Sequence, residues 1–229
     1  MTIHLDRFGG LKDAVSVPGP QEKVSAKQGF YRAYGKRIFD IAFTLLVGPL
    51  VFLLVSMIAL VMAVRGISPF FSQPRLGLEG RIFRLKKIRT MVPDADAQLK
   101  ALLERDPEAR LEWETTQKLK HDPRITTCGA FCRKTSMDEL PQFWNVLVGE
   151  MSVIGPRPML VDQREIYPGT DYFNLRPGIT GPWQVSDRNN TSFAARARYD
   201  ADYFATLSFK NDLKILFRTV LVVFRATGY

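Results

Sequence analysis

Cysteine and histidine are scarce in this chain of 229 residues: two of each, Cys128 and Cys132 at a C-x3-C spacing, and His4 and His121 far apart. These supply neither the ligand set of a structural zinc site nor the disulfide framework of a small secreted domain. The cysteines therefore read as reduced, small apolar side chains. Internal repeats and low-complexity tracts are missing too. A secretory leader does not fit, because the long apolar run begins only at Ile41, is too long for a signal h-region, and ends in Val64-Arg65-Gly66 with no small-x-small cleavage pattern.

The chain has 46% hydrophobic and 24% charged residues, enough apolar material for one domain with a core, which excludes wholesale disorder. An excess of 32 Lys and Arg over 23 Asp and Glu gives a net charge of +9, which favours an anionic partner: a nucleic acid, a phosphorylated substrate or an acidic lipid surface. The placement of the charge argues against nucleic acid, since the basic residues gather beside apolar segments and no nucleic-acid-binding module is recognisable.

From Ile41 to Val64 no residue carries a charge, and only Thr44 and Ser56 are polar. As a helix rising about 1.5 Å per residue this run would measure roughly 36 Å, against about 30 Å of bilayer hydrocarbon. Gly48-Pro49 interrupts it, and proline removes a helical hydrogen bond and clashes with the preceding turn, so a kink is expected there. Lys23, Lys27, Arg32, Lys36 and Arg37 precede the run, and Arg65, Arg75, Arg81, Arg84, Lys86, Lys87 and Arg89 follow it. Basic residues are retained on the cytoplasmic side, so a true span should be basic on one flank only. A helix broken at Gly48-Pro49 that enters and leaves on one face would satisfy both observations; a kinked single span is the alternative.

The organisation read from the pattern is a mobile tail over 1–30, a membrane helix over 31–66, re-entrant or spanning, and a more polar globular remainder over 67–229. Residues 81–89 alternate apolar and basic side chains and predict an extended segment. Pro93-Asp94 opens a helix, and 108–120 predicts a second, charged one. Short apolar pieces punctuated by Gly-Pro follow, at Val146–Val148, Met151–Ile154 and Ile179–Val185. Near the C-terminus, Lys214, Arg218 and Arg225 lie on one stripe of an otherwise apolar helix, the pattern of an interfacial membrane helix or of a docking helix in the core.

The densest reactive cluster is Arg133-Lys-Thr-Ser-Met-Asp-Glu-Leu-Pro-Gln, with Gly149-Glu-Met-Ser-Val-Ile-Gly-Pro-Arg-Pro soon after. Ser136-x-x-Glu139 fits a capping box, which accounts for Glu139 and leaves Asp138 without a role. Equally, an Asp ionised at a helix start is a nucleophile, and its neighbour can hold Mg²⁺ against a pyrophosphate. The local residues leave both readings open.

In its ordered series of motifs the chain resembles the monotopic bacterial sugar transferases, polyprenyl-phosphate phosphoglycosyl transferases. The series runs through Lys36-Arg-Ile-Phe-Asp, Gly48-Pro49, Lys87-Ile-Arg-Thr-Met, Asp122-Pro-Arg-Ile-Thr, the Asp138-Glu139 segment, Met151-Ser-Val-Ile-Gly-Pro-Arg-Pro, Arg176-Pro-Gly-Ile-Thr-Gly-Pro-Trp-Gln-Val and Tyr199-Asp-Ala-Asp-Tyr. The resemblance implies an α+β, membrane-anchored monotopic fold with a broken re-entrant N-terminal helix, a small globular catalytic domain and interfacial amphipathic helices. It implies an enzyme at the cytoplasmic face of the bacterial inner membrane that transfers sugar-1-phosphate from a UDP-sugar to undecaprenyl phosphate and releases UMP, initiating exopolysaccharide synthesis. By the same likeness Asp138 is the nucleophile and Glu139 its Mg²⁺-linked partner, the two forming the metal site. Lys87, Arg89, Arg133 and Arg157 would meet phosphates, with Arg176 and Gln184 as further substrate contacts. A homo-oligomer is left open.

Two positions depart from the family pattern: Ile88 within Lys87-Ile88-Arg89, where Phe is usual, and Asp187, where Gly is usual. Both bear on the sugar. Trp183-Gln184, the terminal Gly-Tyr and the lack of a multi-span N-terminal region are most similar to galactose-phosphate transferases, with glucose second. Two rivals stand beside this reading: a metal-dependent glycosyltransferase using Asp94-x-Asp96 or Asp200-x-Asp202, and a non-enzymatic membrane adaptor of polysaccharide assembly.

Overall fold

The computed structural model describes residues 29–116, 119, 121–186 and 193–224. The tail over 1–28, Asp187 and Arg225 lie outside them. After a π-wound turn at Tyr31–Gly35, the chain enters α1 (Lys36–Val64). The whole stretch Tyr31–Val64 is long and apolar enough to cross a membrane. The helix runs uninterrupted through Pro49, so the expected break at Gly48-Pro49 does not divide it. Leu45, Leu46, Leu50, Phe52, Leu53 and Leu60 are exposed along it, an apolar surface that a water-soluble helix would bury.

Both ends of α1 rest on the same globular body. Near its start, Asp40 is buried and accepts bonds from Ser152 Oγ (2.9 Å) and Val153 N (3.0 Å), while Phe39 and Phe43 join the main core. Near its end, Met62 is buried against Ile88 and Cys132, with Val55 and Ile58 alongside.

Residues 81–89 form the extended segment their alternation predicts: β2 (Ile82–Ile88) pairs antiparallel with β1 (Phe70–Leu76), Arg75 opposite Phe83. Phe83 and Leu85 point into the main core, which puts Lys87 at the end of that face. The two charged helices follow as α2 (Ala95–Arg105) and α3 (Pro107–Thr116). Next come α4 (Thr127–Lys134), a single turn at Met137–Glu139, and α5 (Gln142–Leu147). The apolar piece at Val146 thus belongs to a helix end. The other two pieces are strands, β3 (Ser152–Ile154) and β4 (Gly178–Thr180), which pair in parallel. Helices α6 (Arg196–Thr206) and α7 (Phe209–Phe224) complete the chain.

Fully buried Val146, Met151 and Ile154 form the centre of the main core with Tyr203 and Ile215. One fully buried polar residue, Asn145, fixes α5 to the side of β2: its Oδ1 accepts from Lys86 N (3.0 Å) and its Nδ2 donates to Arg84 O (2.9 Å) and Glu150 Oε2 (2.6 Å). Those bonds satisfy the unpaired edge of β2 and set Lys87 against the turn that precedes α5. The α7 helix keeps Ile215 and Asp212 inward and leaves Phe209, Leu213, Phe217 and Val220 exposed, so it is a docking helix on one side and an apolar surface on the other.

Candidate active site

Helix α4 starts at Thr126, whose hydroxyl accepts from Gly129 N at 3.0 Å, and Gly129 is obligatory because a Cβ there would collide with the Thr90 backbone. The helix ends by presenting Arg133, and the chain then reverses at Ser136, a non-glycine residue in the left-handed region (φ 56°). Such a conformation costs about 1–2 kcal/mol and is found where surrounding structure enforces it. Ser136 makes no side-chain cap bond, so the capping box suggested by Ser136-x-x-Glu139 is not formed. The left-handed turn instead directs Asp138 and Glu139 inward, and Asp138 is 7% exposed.

Lys87 bridges the pair: its Nζ lies 3.3 Å from Asp138 Oδ2 and 2.9 Å from Glu139 Oε1. Arg157 Nη1 approaches the same Glu139 oxygen at 3.4 Å. Two adjacent carboxylates would repel, and a lysine shared between them offsets that cost. Arg133 stands nearby with its Nε bonded to Thr90 Oγ1 at 3.0 Å. Burial lowers its pKa, and the negative charge of Asp138 opposes that shift.

A pocket opens beside these groups, lined by Lys87, Glu139, Arg157, Arg75, Gln142 and Ile179, among others. Its rim follows from Gly155-Pro156-Arg157-Pro158. A Cβ at Gly155 would strike Arg176 O, and one at Gly178 would strike the Gly155 backbone, so the two strands meet without side chains between them. Arg196, buried on α6, donates to Arg157 O, and Arg75 Nη1 donates to Pro158 O at 3.1 Å. Thus two further arginines, not among the residues the sequence marks as site residues, grip the consecutive carbonyls of Arg157 and Pro158. Arg196 also stacks over Trp183 at 5.2 Å.

The remaining sequence-selected residues are not in this group. Arg89 bonds Ser68 O (3.1 Å) and lies over Phe71 (5.7 Å). Arg176 Nε donates to Gly149 O at 2.9 Å, a tie between loops. Gln184 is buried behind Ile179, with its Oε1 unbonded. Gln142 closes the Arg133–Gln142 cluster without having been selected as a site residue, while Arg75, Arg196 and Asn145 carry no motif signal of their own; only their burial as polar side chains marks them.

Among the described residues no group of three or more His, Cys, Asp or Glu gathers to form a metal cage. Two carboxylates side by side nonetheless suit Mg²⁺, a cation that takes one or two protein carboxylates and completes its shell with water and substrate phosphates. The two DxD sequences do not converge. Asp94 and Asp96 are exposed at the start of α2, whereas Asp200 is buried on Tyr167 Oη (2.6 Å) and Asp202 faces solvent.

Comparison with known proteins agrees with the motif series. The chain is 43% identical over 199 residues to the exopolysaccharide production protein ExoY of Rhizobium meliloti, covering 84% of this chain and 87% of that one. It is 44% identical over 197 residues to a UDP-galactose-lipid carrier transferase of Erwinia amylovora (84% of this chain, 41% of that one). It is 48% identical over 160 residues to an undecaprenyl-phosphate galactose phosphotransferase of Salmonella typhimurium (69% and 34%). The chain thus spans well under half the length of the latter two. The family model described as bacterial sugar transferase matches residues 31–226, a range that holds α1, the carboxylate pair and every arginine of the pocket, and the chain belongs to that family.

Proposed function

We propose that the protein is a phosphoglycosyl transferase that moves a hexose-1-phosphate, galactose first and glucose second, from a UDP-sugar to undecaprenyl phosphate, initiating exopolysaccharide synthesis. The observation that carries this reading is the Asp138–Glu139 pair, held by Lys87 at the mouth of an arginine-lined pocket. The names of the two transferase relatives, of Erwinia amylovora and Salmonella typhimurium, supply the substrates.

In this reading an Asp138 carboxylate oxygen attacks the β-phosphorus of the UDP-sugar. The bond to the bridging oxygen breaks, UMP leaves with that electron pair, and an acyl-phosphate links Asp138 to the sugar phosphate. An oxygen of undecaprenyl phosphate then attacks the same phosphorus and restores the carboxylate. Lys87 orients Asp138 through their 3.3 Å contact, Glu139 fixes Lys87 and Arg157, and Arg157 meets the charge of the phosphate oxygens. A Mg²⁺ held by Asp138 and Glu139 would offset the repulsion between an anionic nucleophile and a diphosphate.

The placement of α1 supports a monotopic anchor that enters and leaves on one face, with a kink at Pro49 inside one continuous helix in place of a break, and with tail, helix and catalytic domain divided at 30 and 66. Its first and last thirds both rest on the globular body, and Asp40 and Met62 are separated by roughly 33 Å of helix at 1.5 Å per residue, more than the bilayer core. A perpendicular span would carry one of them out of reach. The exposed apolar faces of α1 and α7 then enter the cytoplasmic leaflet of the inner membrane, where the lipid acceptor resides.

Incubating the full chain in a lipid bilayer with UDP-sugars tests the reading. UMP release is expected, and without polyprenyl phosphate one phosphosugar mass should appear on Asp138 and vanish in Asp138→Asn. UDP release, as a DxD glycosyltransferase would give, or an adduct on Glu139, would defeat it. An unaltered Asp138→Asn protein would favour the adaptor.

A further inference from the structure

Among the described residues, two side chains that line the pocket each carry a donor without a partner. Gln142 is 1% exposed and its Nε2 makes no hydrogen bond; Arg75 Nε is likewise shielded and unbonded. Both residues line the same pocket as Lys87, Glu139 and Arg157. A buried donor left unbonded costs about 1–3 kcal/mol, so two in one cavity call for an acceptor that arrives later.

The surroundings define that acceptor. Arg75 has no carboxylate within ion-pair distance among the described residues; its other nitrogens hold Pro158 O and Gln73 Oε1. Burial lowers its pKa to about 10, and the neighbouring charges of Arg157 and Arg196 push the same way. Arg157 has Glu139 at 3.4 Å and Arg196 has the charge of Asp200 beside it, whereas Arg75 is a buried cation without an ion-paired carboxylate among the described residues, a charge that an apolar or cationic ligand would not relieve. Pro158, Leu85 and Ile179 supply the apolar wall and no acceptor side chains.

We propose that Gln142 Nε2 and Arg75 Nε are donors to non-bridging oxygens of a diphosphate, Gln142 as a neutral donor and Arg75 as a charged one. This deepens the transferase reading and rests on it for the diphosphate's identity as part of a UDP-sugar.

The test is thermal unfolding of the full chain in bilayer discs, titrated with inorganic pyrophosphate in magnesium-free buffer. Wild type should be stabilised as pyrophosphate rises, since a ligand bound only to the folded state raises the unfolding temperature. Gln142→Met, which keeps volume and charge, and Arg75→Gln should each raise the apparent dissociation constant about tenfold or more, the loss expected for a hydrogen bond to a charged group. Arg81→Gln, which removes an exposed cation paired with Glu79, should leave it unchanged. A structural role alone would lower the starting unfolding temperature and leave the ligand-induced rise intact, and that result overturns the proposal. So does a wild type that pyrophosphate does not stabilise, or an equal loss in Arg81→Gln. Failure of wild type to release UMP from any UDP-sugar would instead defeat the transferase reading, while the titration still decides the two donors.

Discussion

Lys36 Nζ lies 3.2 Å from Asp212 Oδ2, joining the first residue of the long apolar helix α1 to the α7 helix 176 positions later. The same ammonium lies 3.2 Å from Asp40 Oδ1, and Asp212 also accepts from Tyr31 Oη (2.6 Å) and Tyr203 Oη (2.7 Å). Asp212 is fully buried, so α1 is fixed to the globular body through one lysine set among two carboxylates and two phenols. Lys36→Met would leave both carboxylates without an ion-paired cation among the described residues. It is expected to destabilise the chain by about 3–5 kcal/mol, the cost of breaking a buried pair. Urea unfolding in bilayer discs checks this, and a change under about 1 kcal/mol, as for exposed pairs, would reject the joint.

Arg157→Lys is expected to lower kcat/KM by about 10², roughly 3 kcal/mol of transition-state stabilisation, with membrane association unchanged. Arg75 and Arg196 fix the backbone of this loop, so little freedom is lost in aiming the guanidinium, and lysine lacks its planar pair of donors. Near wild-type UMP release from the lysine variant would assign Arg157 to the basic surface.

The re-entrant anchor predicts that cysteines placed at Lys27 and Lys100 in a variant lacking Cys128 and Cys132 both resist an impermeant reagent outside intact cells. Labelling of the Lys27 position alone would mean a true span. Replacing Pro49 by Leu removes the one residue of α1 that cannot donate a helical hydrogen bond, and is expected to favour the spanning form.

Asp200 carries a pH dependence of definite sign. Burial raises its pKa from 3.8 to about 6, outweighing the Tyr167 hydrogen bond and the Arg196 charge that act against it. The folded state therefore holds the proton more tightly. The stability this contributes is complete below about pH 3.8 and is lost as pH rises through about 6. Asp200→Asn keeps an acceptor for Tyr167 and should lack that decline, so unfolding midpoints of variant and wild type should converge or cross between about pH 4 and 7. Parallel midpoints across that range would show that Asp200 does not titrate there.

The fold was partly legible because two of its patterns are local. Alternation over 81–89 requires an extended strand with one face inward, and it set Lys87 on that face before any partner was known. The strand that pairs with it, Phe70–Leu76, carries Pro74 and two partly exposed phenylalanines and has no such alternation, so pairing with β2 rather than pattern makes it a strand. The capping box at Ser136 failed for a related reason. Its residues match, but the chain must turn back from α4 at that point, and the left-handed Ser136 leaves no helix of sufficient length to cap.

By itself the sequence determined the apolar anchor, the basic balance, the paired carboxylates of Asp138-Glu139 and the rigid Pro156-Arg157-Pro158 loop, since each follows from side-chain chemistry within a few neighbours. Only the tertiary structure decided which cations serve those carboxylates. Lys87 and Arg157 reach Glu139 from 52 and 18 positions away, while Arg89, two residues from Lys87, turns to the carbonyls of Ser68 and Phe70. Like-charged arginines are interchangeable in a sequence pattern, and what separates them is which backbone carbonyls and which buried acids the fold brings within about 3 Å, a distance over which charge and hydrogen bonding act together.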